Sequence, residues 1–236
     1  MSLRSGGVSA PPWDGLNLSF CVGDDPAAVA CNRARFAAAI GARPVWLNLV
    51  HGRHVLCLAA DTEDSPATPA DAAWTMACGV ACTVTAADCL PVLLALRDGR
   101  AVAAAHAGWR GLAAGVLEAT LRALCQGAGA HPAEVQAWLG PCIGPRHFEV
   151  GLDVLQAYGV APQQAGPSAG FVLRTRADGT ARWLADLQGL AARRLAAAGV
   201  TEVCRTEACT VQDASRFFSF RRSAVTGRMA AAIWRR

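Results

Sequence analysis

Ala105-His106-Ala107-Gly108-Trp109-Arg110-Gly111 is the stretch on which the fold turns. Before it lies an apolar run, Ala101 to Ala105, of strand length; after it, Leu112 to Leu124 carries apolar residues at helical spacing. A histidine and an arginine therefore stand at a strand-to-helix junction, where side chains are exposed at a sheet edge and backbone N–H groups are free for an anion. Two other stretches follow the same plan. Ala87-Asp88-Cys89-Leu90-Pro91 separates the apolar runs Gly79–Thr85 and Val92–Leu96, and Leu47-Asn48-Leu49-Val50-His51-Gly52 ends a strand-like run in histidine and glycine.

The 236 residues are 53% hydrophobic, enough for a sizeable core in one domain. All 22 basic side chains are arginine, so chemistry that needs a lysine amine is excluded, Schiff bases and the phosphate-binding P-loop included. The arginines are dispersed rather than striped, which argues against a nucleic-acid partner. Ten cysteines form no C-x-x-C pair, so a zinc ribbon is not expected, and most thiols are expected to be small buried hydrophobes. The first twelve residues lack the pattern of a secretory signal, and Asp88 and Pro91 interrupt the apolar stretch Cys78 to Leu96. A cytoplasmic protein without a membrane partner is expected, with that stretch a buried strand pair broken by function.

Asp24-Asp25-Pro26 caps a helix expected to run through Ile40 and to stop at Gly41. Strands are expected at Val45–Val50, Val55–Ala59, Val135–Leu139, Phe171–Thr175 and Met229–Trp234, and a loop at Pro66 to Asp71. Arg97-Asp98-Gly99-Arg100 reads as a tight turn, and Val150 to Tyr158 and Trp183 to Ala198 as helices. The sum is one α/β domain with mixed sheets and helices outside.

His51, Cys89 and His106 each stand at the end of a buried run. Together they make a three-ligand set that suits zinc and leaves a fourth position open, as in a catalytic site. The same residues also allow Cys89 as a nucleophile activated by a histidine, with Asp88 orienting that base or capping the turn. Arg110 is suited to clamp a phosphate or to make a surface ion pair, and the segment Phe217 to Arg222 combines aromatic bulk with paired arginines.

These motifs, with Gly6-Gly7-Val8-Ser9, Asn32-Arg33, Gly140-Pro141-Cys142-Ile143-Gly144-Pro145, Cys209-Thr210 and Thr226-Gly227-Arg228-Met229-Ala230, resemble the YfiH-like family over nearly the whole chain. That family was labelled laccase-domain or multicopper polyphenol oxidase and later assigned as purine nucleoside phosphorylases. The resemblance implies a single-domain α/β/β/α sandwich with mixed sheets over residues 1–236, and a zinc ion on His51, Cys89 and His106, which are also the catalytic residues. It implies phosphorolysis of adenosine, inosine and methylthioadenosine, with adenosine deamination as a side activity. Purine nucleosides and phosphate are then the partners. Arg110, Arg221 and Arg222 are the forked cations chosen to hold phosphate.

The chain departs from the family at Leu49, where glutamine is common, and at Arg146-His147-Phe148, where cysteine and tyrosine are. Two other activities attach to the resemblance, editing hydrolysis of peptidoglycan precursors through Cys89 or zinc, and copper-dependent polyphenol oxidation. Five histidines are too few for a blue-copper centre plus a separate oxygen-reducing cluster, which leaves copper as an alternative metal at the same site.

Overall fold

The computed structural model describes residues 1–64 and 68–236, so two residues of the loop expected at Pro66 to Asp71 lie outside the described residues. The chain runs through α1 (Pro26–Ile40), β1 (Arg43–Trp46), β2 (Val55–Leu58), β3 (Ala72–Thr75), β4 (Val80–Ala86), β5 (Leu90–Leu96) and β6 (Val102–Ala107). It continues through α2 (Trp109–Ala114), α3 (Val116–Ala128), β7 (Val135–Leu139), β8 (Glu149–Val150) and α4 (Leu152–Ala157). Last come β9 (Phe171–Thr175), β10 (Ala181–Ala185), α5 (Leu187–Ala197), β11 (Glu202–Arg205) and β12 (Met229–Trp234).

A six-stranded mixed sheet, β11-β7-β5-β6-β3-β2, packs face to face on a three-stranded one, β1-β4-β12. Helix α3 covers the outer face of the larger sheet and α1 that of the smaller, through Phe36 on Trp46 and Ala230. The result is an α/β/β/α sandwich, as the resemblance implied. A third sheet, β8-β10-β9, lies apart from these two in strand pairing. Strand alternation explains the layers. Ala103, Ala105 and Ala107 of β6 face the helices, whereas Ala104 faces the smaller sheet, and His106 shares its parity. A strand buried on both faces reads as an unbroken apolar run, which is why Cys78 to Leu96 has the length of a membrane span. No helix among the described residues is long and apolar enough to cross a membrane.

Several elements depart from expectation. β4 and β5 do not pair with each other: each joins a different sheet, so Asp88 and Cys89 stand where the chain crosses between layers. The helix expected from Leu112 to Leu124 is two helices, broken at Gly115, whose φ of +93° no side-chain-bearing residue adopts readily. Trp183 to Ala185 belong to strand β10, and α5 begins only after Asp186, whose carboxylate accepts from Gly189 N–H as its N-cap. Likewise Val150 lies in β8, with α4 starting at Leu152, and β1 ends at Trp46 rather than Val50. The cysteines also differ: Cys82, Cys125, Cys142 and Cys209 are buried, but Cys21, Cys31, Cys57, Cys78 and Cys204 are exposed, two of them on the edge strands β2 and β11.

Candidate metal centre and pocket

Three chain reversals converge at one end of the two sheets. His106 stands one residue before the end of β6, beside Pro91 of β5, Cys89 lies in the crossing just before β5, and His51 lies in the turn after β1. Their ligand atoms lie within 4.8 Å of one another, with Cys89 Sγ 3.7 Å from His51 Nε2 and the two imidazoles edge-on at 4.8 Å between centroids. This is the one group of three or more such donors among the described residues, and it is able to hold a metal ion. His54, by contrast, turns its Nδ1 to the Pro69 carbonyl.

Asp71, unremarked in the sequence reading, builds this site. Its carboxylate is fully buried and accepts from the backbone N–H groups of Val50, His51 and Gly52 at 3.2, 2.9 and 2.7 Å. His51 has φ +59°, and this left-handed residue folds its neighbours' N–H groups into a cradle around the anion. The same carboxylate lies 2.8 Å from His106 Nδ1, and the Asp71 carbonyl accepts from His106 N–H at 2.7 Å. One buried anion thus sets the His51 turn and fixes the His106 ring with Nε2 turned to the Cys89 side, the usual support for a metal-bound histidine.

Asp88 has a different task. With φ +89° it makes the sharp turn before Cys89, and its carboxylate accepts from Thr210 Oγ1 (2.6 Å), Ser219 Oγ (3.0 Å) and Arg221 N–H (2.7 Å). The carboxylate that orients a histidine is therefore Asp71, and Asp88 ties the C-terminal segment to the Cys89 turn.

Electrostatics favour a ligand-ready thiolate. Burial alone pushes Cys89 up, but the His106 charge and hydrogen bonds from both histidines outweigh it and bring the thiol down to about 6. Burial likewise opposes the charge on His106, and Cys89 and Asp71 overcome it, raising the imidazole to about 9. Asp71 is penalised by burial too, yet its bonds from His106, Gly52 and Val50 hold it below the ordinary carboxylate range.

The cluster opens into a cavity of about 640 Å³, within the size range of small-molecule sites. Trp46, Trp109, Phe148 and Phe220 supply flat apolar wall, and Leu49 lines it as well. Arg110 reaches the cavity, stacked 4.2 Å over Trp109 and without an ion pair among the described residues. Arg221 reaches it too, with Nη1 donating to the His147 and Glu149 carbonyls. Arg222 does not line the cavity: its guanidinium donates to the Thr210, Val211 and Phe217 carbonyls and straps the C-terminal turns together. Arg33 and Arg228, quoted only within motifs, do line it.

Gly108 allows the close approach at the centre. A Cβ there would lie 2.7 Å from His51 Cδ2 and 2.9 Å from Cys89 Sγ, although its φ of −64° suits any residue. Gly108→Ala is therefore expected to weaken metal binding by about tenfold or more, with melting lowered by only a few degrees, as read by competition with a chelating dye and by calorimetry.

Fold and site together define an α/β/β/α protein with a two-histidine, one-cysteine centre at the floor of an arginine-lined pocket. The chain belongs to the family described as multi-copper polyphenol oxidoreductase laccase, whose model matches residues 1–236. Purine nucleoside phosphorylase PA4543 of Pseudomonas aeruginosa is 48% identical over 234 residues, covering 99% of this chain and 91% of that protein. Purine nucleoside phosphorylase YfiH of Escherichia coli is 46% identical over 235 residues, with the same coverage. Among solved structures, NMB0706 of Neisseria meningitidis is similar at 42% identity and a TM-score of 0.86, covering 99% and 91% of the two chains. YlmD of Geobacillus stearothermophilus is similar at 30% identity and a TM-score of 0.87, covering 99% and 90%.

Proposed function

We infer that residues 1–236 work as one catalytic domain, a zinc-dependent purine nucleoside phosphorylase acting on adenosine, inosine and methylthioadenosine, with adenosine deamination as a side activity. The observation that carries this reading is the shared cavity: a metal-ligand cluster, aromatic walls and arginines open into the same space. The names of the relatives at 48% and 46% identity support the reaction class.

The donor set fits zinc. A tetrahedral ion with Zn–S near about 2.3 Å and Zn–N near about 2.0 Å separates sulfur and nitrogen by about 3.5 Å, against 3.7 Å between Cys89 Sγ and His51 Nε2. His51, Cys89 and His106 would hold the ion, which when bound supplies Lewis acidity at the pocket floor. Copper suits the same donors, but the single cluster among the described residues offers no second copper site of the kind a multi-copper oxidase uses.

The chain's own residues do the rest. The aromatic walls take the purine face, and Arg110 and Arg221 draw the phosphate anion toward the sugar. In the reaction a phosphate oxygen bonds to the anomeric carbon and the bond to the purine nitrogen breaks. The electron pair leaves with the base, and the proton of hydrogen phosphate balances it. Holding both reactants in one pocket supplies the orientation that bimolecular attack in water lacks.

Metal-analysed protein given adenosine or inosine is expected to release free base only when phosphate is present. Release without phosphate would count against phosphorolysis, and release of an amino acid from a muropeptide precursor by the same preparation would favour the editing hydrolase.

A further inference from the structure

We propose that Arg228 is the inner phosphate ligand of this pocket, presenting its free guanidinium edge to two oxygens of inorganic phosphate. The proposal rests on the phosphorylase reading and names the residue that serves it. Four arginines line the cavity, and three are otherwise engaged or solvated. Arg33 is stacked between Phe20 and Trp46 at 4.4 and 4.1 Å, donates to the Leu18 carbonyl and has Asp64 3.8 Å away. Arg110 and Arg221 are exposed, where water screens their charge, although Arg221 like Arg228 donates Nη1 to two backbone carbonyls.

Arg228 shares a ring contact with them, its Cζ 5.8 Å from the Phe220 centroid, and differs in combining burial with the lack of an ion pair. It is half-buried and has no carboxylate partner among the described residues; the one carboxylate lining the cavity, Asp88, is taken up by Thr210, Ser219 and Arg221. Its Nη1 donates to the Thr226 and Gly227 carbonyls at 2.9 and 3.1 Å, which fixes the guanidinium plane, while Nε and Nη2 have no acceptor among the described residues. Those two nitrogens form the edge that binds an oxyanion bidentately. Burial lowers the guanidinium pKa, and Arg228 lines the same cavity as His51, Cys89 and His106. A half-buried cation with no ion pair is completed by an anion, and a phosphate there shares the cavity with the metal-ligand cluster.

The test is orthophosphate binding to the zinc-loaded full chain by phosphorus NMR titration, alongside steady-state kinetics, for wild type, Arg228→Gln and Arg228→Lys. Arg228→Gln keeps a polar side chain at a half-buried position away from the metal ligands in sequence, so zinc content and melting temperature should hold. Its phosphate affinity is expected to fall about tenfold or more, and KM for phosphate to rise in parallel, while KM for inosine changes less than about twofold. Arg228→Lys, which keeps the charge without the fork, should recover part of the affinity. Unchanged phosphate affinity in Arg228→Gln, or a loss confined to kcat, would overturn the assignment. A wild type that binds no orthophosphate would also overturn it. If the wild type binds phosphate through Arg228 but cleaves no nucleoside, the phosphorylase reading fails and the anion site stands.

Discussion

Cys89→Ser is expected to lose its metal and to drop nucleoside turnover by about a thousandfold, with secondary structure and melting temperature close to wild type. The cluster has three donors and no spare among the described residues, so removing the thiolate leaves two imidazoles, and hydroxyl oxygen is a poor replacement at the ordinary pH of the assay. The turn itself survives, because its shape is set by the Asp88 carboxylate through Thr210, Ser219 and Arg221 and not by the sulfur. Metal content by plasma emission spectrometry, read beside turnover, checks this. Full zinc occupancy in the serine variant would remove Cys89 from the ligand set.

Asp71→Ala is expected to produce the largest loss of stability of any substitution near the site, about 4 kcal/mol or more in urea unfolding. Its carboxylate is the acceptor for three part-buried backbone N–H groups and the buried His106 ring, and a stranded buried donor costs about 1–3 kcal/mol, a part-buried one less. For a chain of this length that lowers melting by about 10 °C. Asp71→Asn keeps the volume but turns an amide donor toward donors. It should cost about half as much stability and still weaken metal binding by 10- to 100-fold, about what loss of the carboxylate behind a ligating histidine brings. A difference of less than about 1 kcal/mol between Asp71→Ala and wild type would mean that the Val50–Gly52 turn forms without its anion.

How much of this was legible beforehand depends on the range of the interaction. His106, Cys89 and His51 stood out because each polar residue interrupts an apolar run, a local signal, and the structure brings all three together. Helix α1 was legible to its ends because Asp25, Pro26 and Gly41 mark them locally. Asp71 was not, since its partners lie 19 to 21 residues upstream and 35 downstream and nothing near it in sequence shows that it is buried. The assignment of β4 and β5 to different sheets was equally hidden: an apolar run states burial, not which neighbour it pairs with. The arginines illustrate the same limit. Arg222 and Arg228 look alike in sequence, yet the first straps three backbone carbonyls and the second faces the cavity, a difference set by the C-terminal turns.

The most direct test of the central claim is the phosphate balance of inosine cleavage by the zinc-loaded protein, followed by phosphorus NMR. One phosphate consumed, and one ribose 1-phosphate formed, for each hypoxanthine released is the predicted result. Hypoxanthine released together with free ribose and unchanged phosphate would contradict it, making the enzyme a hydrolase.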